Sequence, residues 1–271
     1  MNIDEKEHDR GFQGDLSPKA EPDALLTAEM DGYRVQWKND GIDYPALWQA
    51  FRKEKLPFKP IAVNRPFRAT YYLEEGGRGY LMKKDWHVEK RLEKRLLYYL
   101  MGNTTRYSRI IQLVNKAVRK GCRSAQDIFL VAEKMEGGVC LEAWLIADYM
   151  PGYPLSLEEV MGNLDELVAV VADIHRGGLA CNDIQPYNFI RTTGGSPTEN
   201  KGEIKGIDMD ISSPLLICQA NDIWTMKRRF GAEVPFEGGL GLRLVWALIG
   251  VRDYLRSLSR KLRGKDRRRR S

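Results

Sequence analysis

The sequence predicts an α+β protein with two lobes, a small antiparallel-sheet N-lobe followed by a mostly helical C-lobe. Before residue 150, short aromatic and apolar segments are separated by glycine turns, a pattern typical of paired antiparallel strands. The segment Pro151-Gly152-Tyr153-Pro154 cannot continue a sheet, and apolar residues recur at helical spacing after it. We expect an acidic flexible leader at residues 1–30, an N-lobe at 31–150, a C-lobe at 151–263 and a basic tail at 264–271.

Two strands are predicted around the turn at residues 75–78. Tyr71-Tyr72-Leu73 precedes this turn, and the second strand ends at Lys83. A lysine in this position can contact the phosphates of a nucleotide. Lys84 must point to the opposite face, because side chains alternate along a strand. We therefore favour Lys83 for this contact, with Lys84 as the alternative.

A charged amphipathic helix is predicted next, and it offers Glu93. The apolar positions of this helix follow one stripe, and Glu93 lies beside that stripe. A helical glutamate is what holds a phosphate-binding lysine in place, so Glu93 is the candidate partner of Lys83. The alternative is a solvated helix in which Glu89 and Glu93 pair with lysines one turn away.

Two further strands are predicted at residues 128–134 and 144–150, joined around Gly137-Gly138. The second strand ends at the Pro-Gly linker, which marks the boundary between the lobes. Ser156 and Glu159 then form a capping box that begins the next helix. Apolar residues from 164 to 174 continue at helical spacing, which indicates core packing below the segment that follows.

Residues 174–190 and the strand after them carry the strongest functional signal. They contain Asp183, Asn188 five positions later, and Asp208 at the end of the next apolar strand. A carboxylate can accept a proton from an attacking hydroxyl, and an Asn–Asp pair can hold the magnesium ion that neutralises phosphate charge. Asp210 lies past the turn position and is not expected to be a ligand. The alternative is an ordinary surface turn that uses Asp and Asn as turn formers.

The spacing D-x-x-x-x-N followed by D-x-x resembles protein-kinase-like folds. From about Tyr71 to Arg229, the chain resembles the bacterial lipopolysaccharide core heptose kinase family. Beyond the motif, this resemblance is carried by the segments 120–122, 129–134 and 221–224, whereas the run 93–100 is similar to a helix segment of many protein kinases.

The resemblance implies a two-lobed protein-kinase-like fold that uses ATP and Mg²⁺. The implied reaction transfers the γ-phosphate to a heptose of the lipopolysaccharide inner core, so the implied partner is a lipid-linked sugar. The implied site residues are the base Asp183, the magnesium ligands Asn188 and Asp208, the phosphate contact Lys83 with its partner Glu93, and the adenine contacts Asp148 and Met150. Two alternatives stay open: a kinase of this fold with another small-molecule or protein acceptor, and a non-catalytic kinase-like binding module at the membrane surface.

The sequence departs from the kinase pattern at three places. No G-x-G-x-x-G motif precedes the first strands, and the phosphate-covering loop is expected at residues 63–68, where Pro66 lacks a backbone donor. Arginine side chains can help such a loop to hold phosphates. Cys181-Asn182 replaces the usual His-Arg, which favours constitutive activity. Gln185 replaces the lysine that protein kinases have at this position, which argues against a protein acceptor. It also leaves open that the enzyme has weakened activity.

Composition fits a cytoplasmic enzyme. The 271 residues are 43% hydrophobic and 10% aromatic, enough for a full core. The four cysteines form no C-x-x-C pair, which favours reduced thiols over a disulfide framework or a zinc site. His175 is interpreted as a structural residue. No apolar stretch of the secretory type opens the sequence.

The net charge of +6 is unevenly distributed. Residues 252–271 contain ten Lys or Arg and two Asp, whereas residues 1–23 contain seven acidic and three basic residues. The uncharged run between Arg243 and Arg252 is shorter than a membrane span requires. This run is the start of a basic amphipathic helix, which can contact the anionic cytoplasmic face of the inner membrane. A last helix packed on the C-lobe is the alternative. Nucleic acid is disfavoured, because no aromatic stacking platform accompanies the tail arginines.

Overall fold

The computed structural model describes residues 24–65, 67–86, 105–137, 139–193, 202–209, 214–237 and 239–262. Its N-terminal part is built on a seven-stranded antiparallel sheet, and its C-terminal part is mainly helical with a small three-stranded sheet. The prediction of a two-lobed α+β fold with a sheet-based N-lobe is confirmed.

The strands of the large sheet are β1 (Leu25–Met30), β2 (Tyr33–Lys38), β3 (Phe58–Arg65), β4 (Arg68–Glu75), β5 (Arg78–Trp86), β6 (Ile128–Glu136) and β7 (Val139–Asp148). Their spatial order is β1-β2-β6-β7-β5-β4-β3. The two predicted strand pairs are therefore β4–β5 and β6–β7. The first pair turns at Gly76 and Gly77, whose φ angles of 59° and 75° favour residues without a Cβ.

The boundary predicted for the leader is wrong for residues 25–30. These residues form β1, which pairs with β2 from Leu25 opposite Lys38 to Met30 opposite Tyr33. The hydrogen-bond ladder orders this stretch, and Leu25 packs against the main core. The remainder of the predicted leader, residues 1–23, lies outside the described residues.

The helices are α1 (Tyr44–Arg52), α2 (Arg106–Arg119), α3 (Leu157–Gly162), α4 (Leu164–Arg176), α5 (Leu215–Thr225) and α6 (Gly239–Leu262), with a π-helix at Met226–Phe230. The small sheet contains β8 (Gly152–Pro154), β9 (Phe189–Thr192) and β10 (Ile204–Gly206), in the order β10-β9-β8. The predicted capping box of Ser156 and Glu159 is present at the start of α3. No helix among the described ranges is both long and apolar enough to cross a bilayer.

Helix α1 covers one face of the large sheet with a second hydrophobic core. Tyr44 and Trp48 are fully buried there, and the ring of Tyr44 stacks on Phe129 with centroids 5.1 Å apart. Met82 of β5 belongs to this core, whereas Leu81 packs against the main core on the other face. The two faces of β5 therefore have different surroundings, and only one of them faces the main core.

Helix α2 is fastened to the sheet by Glu133 of β6, a carboxylate with no solvent exposure. Its oxygens accept hydrogen bonds from the hydroxyls of Thr105 and Ser108 at the start of the helix. Arg34 of β2 donates a third at 2.8 Å. A buried charge is tolerated only when it is paired and hydrogen-bonded, so these contacts fix the helix against two strands at once.

Candidate active site

The loop between α4 and β9 presents Asp183 to solvent. Its backbone carbonyl accepts hydrogen bonds from Gln185 N and Asn188 Nδ2, both at 2.9 Å. Gln185 Nε2 also donates to the Asp183 carboxylate at 3.1 Å. Asn182 adopts a left-handed φ of 57°, which sharpens the turn. The carboxylate is exposed, so it can meet an incoming hydroxyl.

A buried carboxylate from α5, that of Asp222, supports this loop from below. It accepts hydrogen bonds from the backbone N–H groups of Cys181 (2.8 Å) and Asn182 (2.6 Å) and pairs with His175 Nε2 at 3.1 Å. Burial raises the pKa of Asp222, and the contact with His175 opposes that rise. The buried His175 thus has the structural role expected for it.

Asn188 joins the loop to the segment that carries Asp208. Its backbone oxygen accepts a hydrogen bond from Ile207 N at 2.9 Å, which places the neighbouring Asp208 beside it. Asn188 Nδ2 donates to the backbone oxygen of Asp183, and no hydrogen bond from the described residues reaches Asn188 Oδ1, the oxygen that a cation could bind. The Asp208 side chain is 41% exposed. One carboxylate and one amide oxygen suit magnesium, which takes few protein ligands and keeps substrate phosphates and waters.

That donor set is a small one. Among the described residues, no group of three or more His, Cys, Asp or Glu side chains could hold a metal ion.

Lys83 lies next to the Asp208 segment. Its Nζ donates to the backbone oxygen of Ile207 at 3.2 Å and to Gln126 Oε1 at 3.4 Å. Burial lowers the pKa of Lys83, and the carboxylate of Asp208 opposes that effect. Lys84 lies on the opposite face, where it pairs with Glu142 at 3.3 Å. Hydrogen bonds to the backbone of Ile207 thus link Lys83 with Asn188, and Asn188 in turn bonds to Asp183. Asp208 is the next residue after Ile207, whereas Lys84 is apart from this set.

A small cavity of about 40 Å³ lies between Lys83 and Asp208. Two arginines, Arg68 and Arg106, also line it, together with Asp85 and residues of α2. A nucleotide is much larger than this cavity, so only part of one can enter it. Three cationic and two acidic side chains line the cavity, and the rest of its wall is mainly apolar, with Ile110, Leu145 and Met209 among its members.

The predicted adenine contacts differ in their surroundings. Asp148 N donates to Asp127 O at 3.0 Å, and Asp148 O accepts from Gln126 Nε2 at 2.7 Å, so both backbone groups have partners. Within the described ranges, the backbone N–H of Met150 has no hydrogen bond. The predicted Glu93 and the excluded Asp210 lie outside the described residues.

Several residues of the site were missed by sequence reasoning. Asp85 could have been found, because it lies two positions after Lys83 and so shares its strand face. Asp222 lies in the segment 221–224 that contributes to the family resemblance, but the sequence gives no sign of its contact with the loop that carries Asp183. Gln126 and Arg229 carry no local signal. Arg229 donates a hydrogen bond to Gln185 Oε1, so a cation contacts the glutamine that stands where a lysine was expected.

No protein-family model matches the chain, and a search of curated proteins also finds no match. Among solved structures, the chain is similar to WaaP in complex with acyl carrier protein. That match has a TM-score of 0.46 and 15% identity, and it covers 83% of this chain and 94% of that one. The chain is also similar to the BubR1 kinase domain, with a TM-score of 0.33, 13% identity, and coverage of 69% of this chain and 49% of that one.

Proposed function

We propose that the protein is an ATP- and magnesium-dependent kinase that phosphorylates a heptose hydroxyl of the lipopolysaccharide inner core. The observation that carries this proposal is the connected set of Asp183, Asn188, Asp208 and Lys83. An exposed carboxylate, a metal-ligand pair and a lysine are the parts that phosphoryl transfer requires. The heptose acceptor rests on the sequence resemblance alone.

In this reaction, Asp183 takes the proton of the acceptor hydroxyl. The hydroxyl oxygen bonds to the γ-phosphorus as the bond between that phosphorus and the bridging oxygen of ADP breaks. Lys83 holds the phosphates by charge, and Met150 N–H contacts the adenine. Asn188 and Asp208 would hold the magnesium ion, whose charge neutralises the phosphates. The residues contribute mainly by positioning and electrostatic stabilisation.

The catalytic role is tested with Asp183→Asn. Transfer of radioactive phosphate from ATP to truncated core oligosaccharides should fall by about 10²–10⁴-fold, the range for loss of a positioned base. Asp165→Asn, which changes an exposed carboxylate at the start of α4, is the matched control and should retain full activity. Equal turnover of Asp183→Asn and wild type removes the role assigned to Asp183.

Nucleotide binding is tested with two adjacent lysines. Lys83→Met should abolish the thermal stabilisation by ATP and magnesium, whereas Lys84→Met should preserve it, because Lys84 lies on the other face. Stabilisation of both variants to the wild-type extent contradicts the assignment.

A non-catalytic binding module is the second candidate function. The observations that favour it are Gln185 in place of a lysine and the engaged backbone groups of Asp148. A panel that also includes other lipid-linked sugars, antibiotics and proteins separates the possibilities. If phosphate is transferred to another acceptor and not to the heptose, that acceptor takes the place of the heptose in the proposal. If the protein binds nucleotide but phosphorylates no acceptor, the non-catalytic binding module is favoured.

We also propose that α6 places the enzyme at the cytoplasmic face of the inner membrane. This helix packs on α5 through one side, where Leu242 and Ile249 are buried and Trp224 contacts Trp246 with ring centroids 5.6 Å apart. The opposite side has an exposed apolar stripe. Its members are Leu240, Leu244, Leu248, Val251, Tyr254, Leu255 and Leu258, all at least 43% exposed.

Charge favours a lipid surface over a second copy of the chain as the occupant of this stripe. Arg243, Arg252 and Arg256 flank it, and the sequence beyond the helix adds a further basic run. Two such stripes packed together would bring like charges close to each other. Anionic headgroups are instead attracted by about 1 kcal/mol for each basic residue near the surface, and the apolar residues can enter the acyl boundary.

Vesicle cosedimentation tests the membrane contact. Wild type should bind vesicles of phosphatidylcholine with phosphatidylserine, and should bind phosphatidylcholine alone weakly. The triple substitution Leu244→Glu, Leu248→Glu and Leu255→Glu should abolish binding. The matched control replaces Leu157 and Met161, exposed apolar residues of α3, by Glu. If wild type does not bind vesicles but dimerises, and the triple substitution removes the dimer, the occupant of the stripe is a second copy of the chain instead.

A further inference from the structure

The arginine at the start of β4 is held in a fixed orientation beside the site. Arg68 Nε donates to Asp85 Oδ1 at 2.6 Å, and its Nη2 donates to Asp85 Oδ2 at 2.9 Å. Such a two-bond pair fixes the plane of the guanidinium as well as its position. The remaining nitrogen, Nη1, lies 3.6 Å from Asp208 Oδ2.

Asp85 is itself held from behind by α2. The hydroxyl of Tyr107 donates to Asp85 Oδ2. Burial raises the pKa of Tyr107 well above its usual range, so this hydroxyl stays a donor. The Asp85 side chain is only 12% exposed, compared with 33% for Arg68. Asp85 and Tyr107 thus form a rigid support, and the guanidinium is its more accessible end.

The strand register places Arg68 on the same face as Lys83. In the β4–β5 pair, Arg68 lies opposite Asp85 and Thr70 lies opposite Lys83. Directly opposed residues share a face, and so do residues two apart along a strand. Two cations therefore lie on one sheet face, and both interact with the carboxylate of Asp208.

The contact between Arg68 and Asp208 is longer than the two hydrogen bonds between Arg68 and Asp85. A separation of 3.6 Å exceeds hydrogen-bond length, and Asp208 is well exposed. Exposed ion pairs of this kind contribute little to stability. Nη1 is therefore free to contact another anion while the two bonds to Asp85 remain intact.

We propose that Arg68 is a second phosphate-binding residue of the cleft, positioned by Asp85 and Tyr107, and that it contacts the terminal phosphates of the bound nucleotide. The inference rests on the proposed function. The sequence of residues 63–67, which precede Arg68, contains no glycine, and its proline has no N–H to offer. A guanidinium matches phosphate geometry with two donors, so Arg68 replaces backbone donors that a glycine-rich loop would supply.

The test measures affinities for ATP, ADP and AMP with magnesium by isothermal titration. Arg68→Gln should weaken ATP binding about 10- to 100-fold, the loss expected for a charge-assisted hydrogen bond, and leave AMP binding nearly unchanged. The ATP affinity of Arg68→Lys should lie between those of wild type and Arg68→Gln, because lysine keeps the charge but lacks the two-donor geometry of the guanidinium. Arg52→Gln is the matched control: its side chain is similarly exposed, at 28%, and stacks on Trp48 in the other core.

A double-mutant cycle tests the positioning role of Asp85. Asp85→Asn should weaken ATP binding in the wild-type background and have no further effect in the Arg68→Gln background. The double variant also avoids leaving Asp85 as an unpaired buried charge, which guards against misfolding. Additive losses contradict the positioning role.

The outcomes separate this inference from the proposed function. If wild type binds ATP and Arg68→Gln binds it equally well, the role of Arg68 is overturned and the kinase proposal stands. Equal losses for ATP and AMP also overturn it, because Arg68 would then act through the shape of the cleft. If wild type binds no nucleotide, both proposals fall.

Discussion

The buried carboxylate of Asp222 offers the sharpest test of how the catalytic loop is held. Asp222→Ala removes a fully buried carboxylate that pairs with two backbone N–H groups and with His175; the contacts with Cys181 and His175 are buried and that with Asn182 is partly buried. Each buried donor left without a partner costs about 1–3 kcal/mol. Three of them would total about 3–9 kcal/mol, reduced because a buried charge is also removed.

We therefore expect Asp222→Ala to lower the free energy of unfolding by about 3–5 kcal/mol, the lower part of the range for buried groups left without hydrogen-bond partners. Asp222→Asn should cost less, since the amide oxygen can still accept from the loop. Urea unfolding followed by circular dichroism measures both. Glu203→Ala is the control, because that carboxylate is 72% exposed and forms one weak ion pair at 3.5 Å; it should cost about 0.5 kcal/mol or less.

A loss below about 1 kcal/mol for Asp222→Ala, with an unchanged slope against urea, would refute this reasoning. It would mean that the loop reorganises freely and finds other acceptors. Turnover provides a second readout. Because the hydrogen bonds of Asp222 hold the two residues before Asp183, Asp222→Asn should lower kcat and should change the KM for ATP much less.

Three further predictions concern other parts of the molecule. Gln185→Ala frees the carboxylate of Asp183 and should lower kcat on the order of 10- to 100-fold; unchanged steady-state kinetics would argue against this contact. Burial favours a higher pKa for Asp173, yet hydrogen bonds from the Ser124 side chain and from the backbone N–H groups of Arg123 and Ser124 lower it. Its stabilisation is therefore present above about pH 4, the unfolded value, and is lost as pH falls through the lowered folded pKa. The stability difference between wild type and Asp173→Asn should shrink in acid, and a difference independent of pH contradicts this. Glu133→Ala should cost about 3–5 kcal/mol in urea unfolding, because α2 loses its attachment; exposed Glu136→Ala should be nearly neutral, and equal losses would exclude that role.

Local patterns were sufficient to predict the central strand pairs and the start of α3. The glycine turn at residues 76–77 and the capping box at Ser156 each depend on a few adjacent residues, and the structure contains both. The β1–β2 hairpin was missed although its turn is Asp31-Gly32, a strong hairpin signal. The acidic composition just before it hid the alternating strand pattern.

The site was only partly predictable, because its parts have different sequence separations. Asp183 and Asn188 are brought together by one loop, so their spacing is informative. The support by Asp222 crosses about 40 positions and depends on how α5 packs. The Arg68–Asp85 pair follows from the register that the turn at Gly76 and Gly77 sets, so it could have been predicted if the first strand had been extended back to Arg68.

The hairpin of β1 and β2 also has a consequence for solubility. It covers the edge of β6, whose residues 128–133 are buried on both faces. Without the hairpin, that run of Ile, Phe, Leu, Val and Ala would become an open, β-prone edge able to pair with another chain. A truncated protein that begins after Lys38 should therefore aggregate, even though every residue proposed for chemistry would still be present.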